Sequence, residues 1–285
     1  MIDGSARFVK NSCFFAPRVV SLSRKVRYMN SQPVGVFDSG VGGISVLASL
    51  MRELPQERFF YYGDTAHAPY GTKPTEEVNR LVGDVTRHLI GEGIKALVIA
   101  CNTASAVSAQ TLRETYSFPI VAMEPALKPA SLLRRDGRVL VLATPVTLAL
   151  PKFGRLMAHY GEGAERVPCP GLMELVERED WDGAETYLRE LFARYDGQPI
   201  DAVVLGCTHY VFLRPIARRL LPETTAIVDG NEGTARQLRH VLEERQLLSG
   251  AAVGGYALET SGDPAVTLPV MERLLRLGRQ NLTAD

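Results

Sequence analysis

The chain has 285 residues, 46% of them apolar, enough to bury the core of one large domain or of two smaller ones. Its 32 lysines and arginines balance 32 aspartates and glutamates, so the charge recommends neither a nucleic-acid partner nor a membrane surface. Four scattered cysteines without C-x-x-C spacing exclude a small disulfide scaffold and fit a reducing cytoplasm, and no stretch is apolar enough to span a bilayer.

Residues 1–32 read as a leader. It carries Arg7, Lys10, Arg18, Arg24, Lys25 and Arg27 with no acidic residue after Asp3, and Phe14-Phe15-Ala16-Pro17 is too short and too broken for a signal-peptide core. The leader, with Cys13 in it, is expected to be disordered and dispensable, with Met29 as the working start. From Pro33 onward strands and helices alternate. Strands are expected at Val34–Phe37, Arg58–Tyr62, Ala96–Ala100, Ile120–Ala122, Val139–Ala143, Glu165–Pro168, Ala202–Gly206 and Ala226–Val228, with a late one near Gly255–Glu259 that has freedom to run otherwise at an edge. Amphipathic helical patterns fall near 42–53, 75–91, 103–116, 127–134, 147–160, 171–178, 183–195, 211–220, 231–246 and 265–278. This alternation predicts parallel sheets covered by helices on both faces.

Two strands end alike, in Ala100-Cys101-Asn102-Thr103 and in Gly206-Cys207-Thr208-His209. The cysteines stand 207 − 101 = 106 positions apart, close to half of the chain beyond Pro33, which suggests an internal duplication with a hinge at Glu124-Pro125. The expected architecture is two similar parallel-sheet α/β domains related by a pseudo-twofold axis, residues 33–124 plus 230–285 and residues 125–229, with the site in the cleft between them. Strand C-terminal ends are where open α/β sheets bind ligands, and a thiol facing a helix N-terminus is easier to ionise.

Other strand ends carry polar loops. Asp38-Ser39-Gly40-Val41-Gly42-Gly43 misses both the dinucleotide fingerprint and the Walker loop, leaving a turn whose amides suit an anion, or Asp38 as a plain helix N-cap. Asp64 follows the next strand, and Pro69-Tyr70-Gly71 offers backbone amides and an aromatic lid. His67 reads as a solvated loop histidine, and Trp181 as packing. Buried cysteines are usually inert, but a core thiol needs no polar companions, and Asn102, Thr103, Thr208 and His209 flank these two. A thiol acting near neutrality needs a base, which His209, Asp38 or Asp64 would supply. Cys169, at the end of its own strand before Pro170, could line the pocket but reads rather as structural. Zinc on Cys101, Cys169, Cys207 and His209 is disfavoured, because structural zinc sites draw ligands from closely spaced knuckles.

Together these segments, with Ala143-Thr144, Thr147 and Thr260-Ser261-Gly262-Asp263, resemble the glutamate racemases of the cofactor-independent amino-acid racemase superfamily, in order from about residue 34 to the C-terminus. The resemblance implies interconversion of L- and D-glutamate without a cofactor or metal, supplying D-glutamate for peptidoglycan. It makes Cys101 and Cys207 the acid/base thiols, Asp38 and His209 their helpers, and Asp64 and Glu177 supporting carboxylates, with Glu174 the competing register for the last. Substrate contacts are implied for Ser39, Pro69, Tyr70, Gly71, Asn102, Thr103, Thr147 and Thr208. The chain departs from the family at Tyr210-Val211, where many members carry a proline, and in Cys169-Pro170-Gly171-Leu172-Met173-Glu174, which is less apolar. The competing readings are an aspartate racemase or related enzyme, whose substrate differs by one methylene, and a non-catalytic binding module. The partner expected is a small molecule, and a homodimer is left open.

Overall fold

The computed structural model describes residues 6–7 and 30–282; the leader expectation, apart from Ala6–Arg7 and residues 30–32, lies outside the described residues. Ten strands occur among them: β1 (Ala6–Arg7), β2 (Val34–Asp38), β3 (Arg58–Gly63), β4 (Ala96–Ile99), β5 (Ile120–Ala122), β6 (Arg138–Ala143), β7 (Ala164–Pro168), β8 (Ile200–Leu205), β9 (Ala226–Asp229) and β10 (Gly255–Thr260). They form two wholly parallel sheets, one ordered β1-β10-β3-β2-β4-β5 and the other β7-β6-β8-β9. Every residue of β2 and β4 is buried, as strands covered by helices on both faces require.

The order β3-β2-β4-β5 recurs as β7-β6-β8-β9, so β4, preceding Cys101, and β8, preceding Cys207, hold equivalent slots. In each sheet the chain reverses its direction of growth beside these strands, between β2 and β4 and between β6 and β8. Such switch points open a crevice at the strand C-terminal ends. The sheets are unequal, because β1 and β10 extend only the first. β10 also corrects an expectation: it runs parallel to β3 and lies inside the sheet, with β1 on its other side.

Three helices differ from their sequence patterns. Ile44–Glu53 is buried on every face from Ile44 to Met51, not amphipathic, because the helices Asn231–Glu244 and Pro264–Asn281 and the 3-10 turn Thr208–Leu213 all pack on it. The pattern near 147–160 splits into Pro145–Ala149 and Pro151–Tyr160, since Pro151 holds Leu150 extended at ψ 141°. The pattern near 211–220 opens as the 3-10 turn Thr208–Leu213 and becomes α-helical only at Arg214–Leu220.

That 3-10 turn lies directly against the glycine turn that follows β2. A Cβ on Gly42 would fall 2.3 Å from His209 Nδ1 and 2.4 Å from Thr208 Oγ1, and one on Gly40 would fall 2.8 Å from Glu177 Oε1. Ser45 Oγ donates to the Thr208 carbonyl at 3.0 Å across the same contact. The glycines are therefore a seat for the second sheet's loop, and neither Gly40, Gly42 nor Gly43 lines the cavity described below. This corrects the reading of the turn as an anion cradle. Gly42→Ala is expected to destabilise the fold by about 1–3 kcal/mol through overpacking. Urea unfolding measures it, and parental stability would contradict the close approach.

Candidate active site

The strand ends of both sheets line one cavity of about 260 Å³. From the first sheet come Asp38 and Ser39 at the end of β2, Pro69, Tyr70 and Gly71 after β3, and Cys101, Asn102 and Thr103 after β4. From the second come Thr144 to Thr147 after β6, Cys169 to Gly171 after β7, and Gly206 to His209 after β8. Of the sequence-expected residues, Asp38, Ser39, Pro69, Tyr70, Gly71, Cys101, Asn102, Thr103, Thr147, Cys207, Thr208 and His209 thus meet in one place, while Asp64 and Glu177 lie outside the lining. A larger cavity of about 700 Å³ lies elsewhere and contains neither cysteine.

The two thiols are held differently. Cys101 is the N-cap of the helix Asn102–Thr115, its Sγ accepting from the Ala104 amide at 3.5 Å and lying 3.4 Å from Ser39 Oγ. Burial and the Asp38 carboxylate push this thiol up to about 12, over the opposing pull of the Ala104 amide and the Ser39 hydroxyl. The Ala104 amide at the helix N-terminus does ease ionisation, as expected, but burial and the Asp38 carboxylate outweigh it. Cys207 caps no α-helix, since the 3-10 turn intervenes, and is partly exposed. Its Sγ lies 3.7 Å from His209 Nδ1, and His209 Nε2 lies 3.1 Å from Glu177 Oε1.

Burial alone would lower the pKa of His209, but the bonds to Cys207 and Glu177 raise it well above the ordinary histidine value. Burial alone would raise Glu177, yet the hydrogen bond and charge of His209 hold it below the usual carboxylate range. Cys207, His209 and Glu177 form one line of proton-holding groups. Glu177, not Glu174, touches the imidazole, whereas Glu174 lines the cavity itself.

Asp38 is not a helix cap: Gly43 occupies that position with no side-chain bond. Instead Asp38 Oδ1 accepts from the Ser39 amide at 2.6 Å and the Ser39 hydroxyl at 3.3 Å, while Oδ2 accepts from Thr208 Oγ1 at 3.0 Å. One carboxylate is thereby bonded beside both thiols. Asp64 stands apart from the lining and accepts from the Tyr70 hydroxyl at 2.6 Å, with His67 Nδ1 at 2.8 Å from its other oxygen. Tyr70 is only 1% exposed, so it is a packed wall and not a lid, and burial together with that bond keeps its phenol protonated.

Thr103 and Thr147 hydroxyls stand 3.2 Å apart, and Thr144 donates to Thr147 at 2.9 Å. Asn102 Nδ2 donates to Met123 Sδ at 3.6 Å, while its Oδ1 is buried without a hydrogen-bond partner. Sequence reasoning passed over Thr144 as a contact, although Thr144-Pro145 at a strand end is a readable N-cap signal, and its Oγ1 accepts from the Thr147 amide. Met173, which carried no signal of its own, and Glu174, expected only as the alternative to Glu177, also line the cavity. Among the described residues the one cluster with metal-ligand spacing is His88, Glu92 and Glu259, outside this cavity.

Comparison with known proteins agrees with this geometry. Residues 42–238, which include both cysteines, match the family model described as Asp/Glu/Hydantoin racemase. A glutamate racemase of Clostridium botulinum (strain Kyoto / Type A2) is 47% identical over 224 residues, covering 77% of this chain and 87% of that protein. Among solved structures, glutamate racemase isoform RacE1 from Bacillus anthracis superposes with a TM-score of 0.78 at 29% identity, covering 87% of this chain and 95% of that one. The Escherichia coli glutamate racemase in complex with L-glutamate and the activator UDP-MurNAc-ala gives 0.75 at 33% identity, covering 85% and 95%. A non-catalytic binding module is thereby set aside: the chain belongs to the Asp/Glu/hydantoin racemase family of amino-acid isomerases, among its glutamate racemases.

Proposed function

We propose that the protein interconverts L- and D-glutamate by two-base proton transfer at Cα, with Cys101 and Cys207 as the acid/base pair and no cofactor. The observation that carries this reading is the approach of both thiols to one small cavity from equivalent slots of two different sheets. A substrate Cα between them would present its hydrogen to one thiol and its opposite face to the other.

Removing an α-proton from an amino acid builds charge that the site has to stabilise electrostatically. Asn102 lines the cavity and has an amide oxygen without a protein partner, an acceptor suited to an α-ammonium, and the hydroxyls of Thr103 and Thr147 are donors for a carboxylate. In one direction Cys207, backed by the His209–Glu177 pair, takes the α-proton as a thiolate while the Cys101 thiol delivers its proton to the other face. The reverse direction requires Cys101 as the base. Its high pKa at rest makes that step depend on the bound substrate: the α-ammonium entering beside the thiol offsets both burial and the repulsion from Asp38. Ser39, between Cys101 and Asp38, provides a hydroxyl through which a proton can pass to the carboxylate. Asp64 acts at one remove, by anchoring Tyr70 in the cavity wall.

The family's role in peptidoglycan synthesis makes D-glutamate the product used, and a cytoplasmic site of action follows from that role. No helix among the described residues is long and apolar enough to cross a membrane.

Racemisation of D-glutamate in deuterated water, with a chelator and no added cofactor, is expected to invert the circular dichroism signal and place solvent deuterium at Cα. Inversion of aspartate with glutamate left untouched would move the substrate assignment. Cys101→Ala and Cys207→Ala are each expected to lower kcat by about 10²–10⁴-fold or more, the usual contribution of a general acid or base. Substantial activity in either variant would leave one thiol doing both tasks.

The two thiols also predict a reactivity order. Cys101 and Cys169 are buried and pushed up to about 12, whereas Cys207 is partly exposed beside a protonated imidazole. Iodoacetamide at neutral pH is expected to modify Cys207 at least about tenfold faster than the other two, read by peptide mass spectrometry. Preferential labelling of Cys101 would reverse the assignment of the resting base.

A further inference from the structure

The carboxylate that reaches His209 is carried by Leu172–Glu177, a helix of six residues, too short to hold its own place by internal hydrogen bonding. Its surroundings therefore set the position of Glu177. The helix is entered through Gly171 at φ 81° and left through Glu179 at φ 57°, both left-handed. At Gly171 that conformation is unstrained, but at Glu179 a side chain stands where helix ends ordinarily place glycine. The turn itself closes through backbone bonds, from the Glu179 amide to the Val176 carbonyl at 3.0 Å and from the Asp180 amide to the Leu175 carbonyl at 2.9 Å. A glycine would serve that turn as well, so the glutamate contributes something else.

What it contributes is a carboxylate bound by Arg273. The guanidinium Nε donates to Glu179 Oε1 at 3.1 Å and to Oε2 at 3.0 Å, and Nη2 donates to Oε2 as well. Arg273 lies on Pro264–Asn281, the helix that follows β10 of the first sheet and packs against both Ile44–Glu53 and the turn bearing His209. The pair therefore ties the Glu177 helix, which follows β7 of the second sheet, to an element of the first. Most partly exposed ion pairs have little consequence. This one has forked geometry, and its carboxylate is presented from a left-handed backbone position that ordinarily favours glycine.

We propose that Arg273 and Glu179 are positioning residues: their ion pair holds the Leu172–Glu177 helix so that Glu177 stays on His209 and the imidazole stays against Cys207. The proposal rests on the two-cysteine reading for its effect on turnover. Its effect on the Cys207 thiol is measurable without turnover.

Glu179→Gly suits the left-handed backbone and removes only the carboxylate, so its thermal unfolding is expected at or above that of the parent. Arg273→Gln removes the other half of the pair. Each variant is expected to lose about tenfold in kcat with KM changed by less than about threefold. In each, the pH midpoint for alkylation of Cys207 by iodoacetamide should move upward, because an imidazole that has lost its carboxylate holds its proton less readily and the neutral ring supports a thiolate less well. The groups facing His209 are Cys207 and Glu177, with Asp38 reached through Thr208. A double variant E177Q/E179G is expected to be no slower than E177Q alone, since both changes act through one contact. An unchanged kcat together with an unchanged alkylation midpoint overturns the proposal, and so does a double variant whose loss is the product of the two single losses. If cysteine substitution shows the two-thiol mechanism to be wrong, the alkylation midpoint still judges the clamp.

Discussion

The seating of the Thr208–Leu213 turn on the glycine turn after β2 is the contact on which the rest of the site depends. It brings a loop of one sheet within van der Waals distance of the other's backbone, at positions where no side chain fits. Thr208 then reaches Asp38, Ser45 reaches the Thr208 carbonyl, and Glu177 arrives over Gly40 to meet His209. Without that approach, Cys101 and Cys207 would end two separate crevices. The burial of Ile44–Glu53 on all sides follows from the same contact, because this helix starts immediately after the glycines and is covered by elements from around both sheets.

Burial then divides the labour between two thiols that look equivalent in the fold. Cys101 has a helix N-terminus behind it but lies at 7% exposure beside a carboxylate, and desolvation prevails. Cys207 lacks the helix and has instead an imidazole whose second nitrogen is held by Glu177. The topology is repeated while the electrostatics are not. On the two-thiol reading proposed above, the two faces of the substrate carbon would meet unlike groups, one thiol buried beside a carboxylate and the other beside an imidazole.

Asp38 links the two halves. Its oxygens are divided between Ser39, beside Cys101, and Thr208, beside Cys207, so a change of charge at either thiol is felt by one shared carboxylate. Asp64 and Tyr70 provide a stiffer, outer support, with the phenol packed in the wall and its hydroxyl committed to the carboxylate.

Much of this was legible along the chain. Apolar runs of four to six residues ending in polar loops mark buried parallel strands wherever they occur, and two such runs ending in cysteine fix the slots of the thiols and the residues around them. Local patterns carry that information because strand burial and turn chemistry depend on neighbours in sequence. The sequence left open whether Asp38 caps a helix, why the glycines stand where they do, and whether Glu174 or Glu177 serves His209, since each depends on atoms more than thirty positions away. It did not carry the desolvation that opposes the helix N-terminus at Cys101, the burial of Tyr70 or the place of β10, because desolvation and sheet position are properties of what covers a residue. Composition, strand order of appearance and the chemical inventory of the site were thus determined locally. The meeting of the two thiols in one cavity, and their unlike electrostatics, were decided only by tertiary packing, because proximity and dielectric are set by distant segments of the chain.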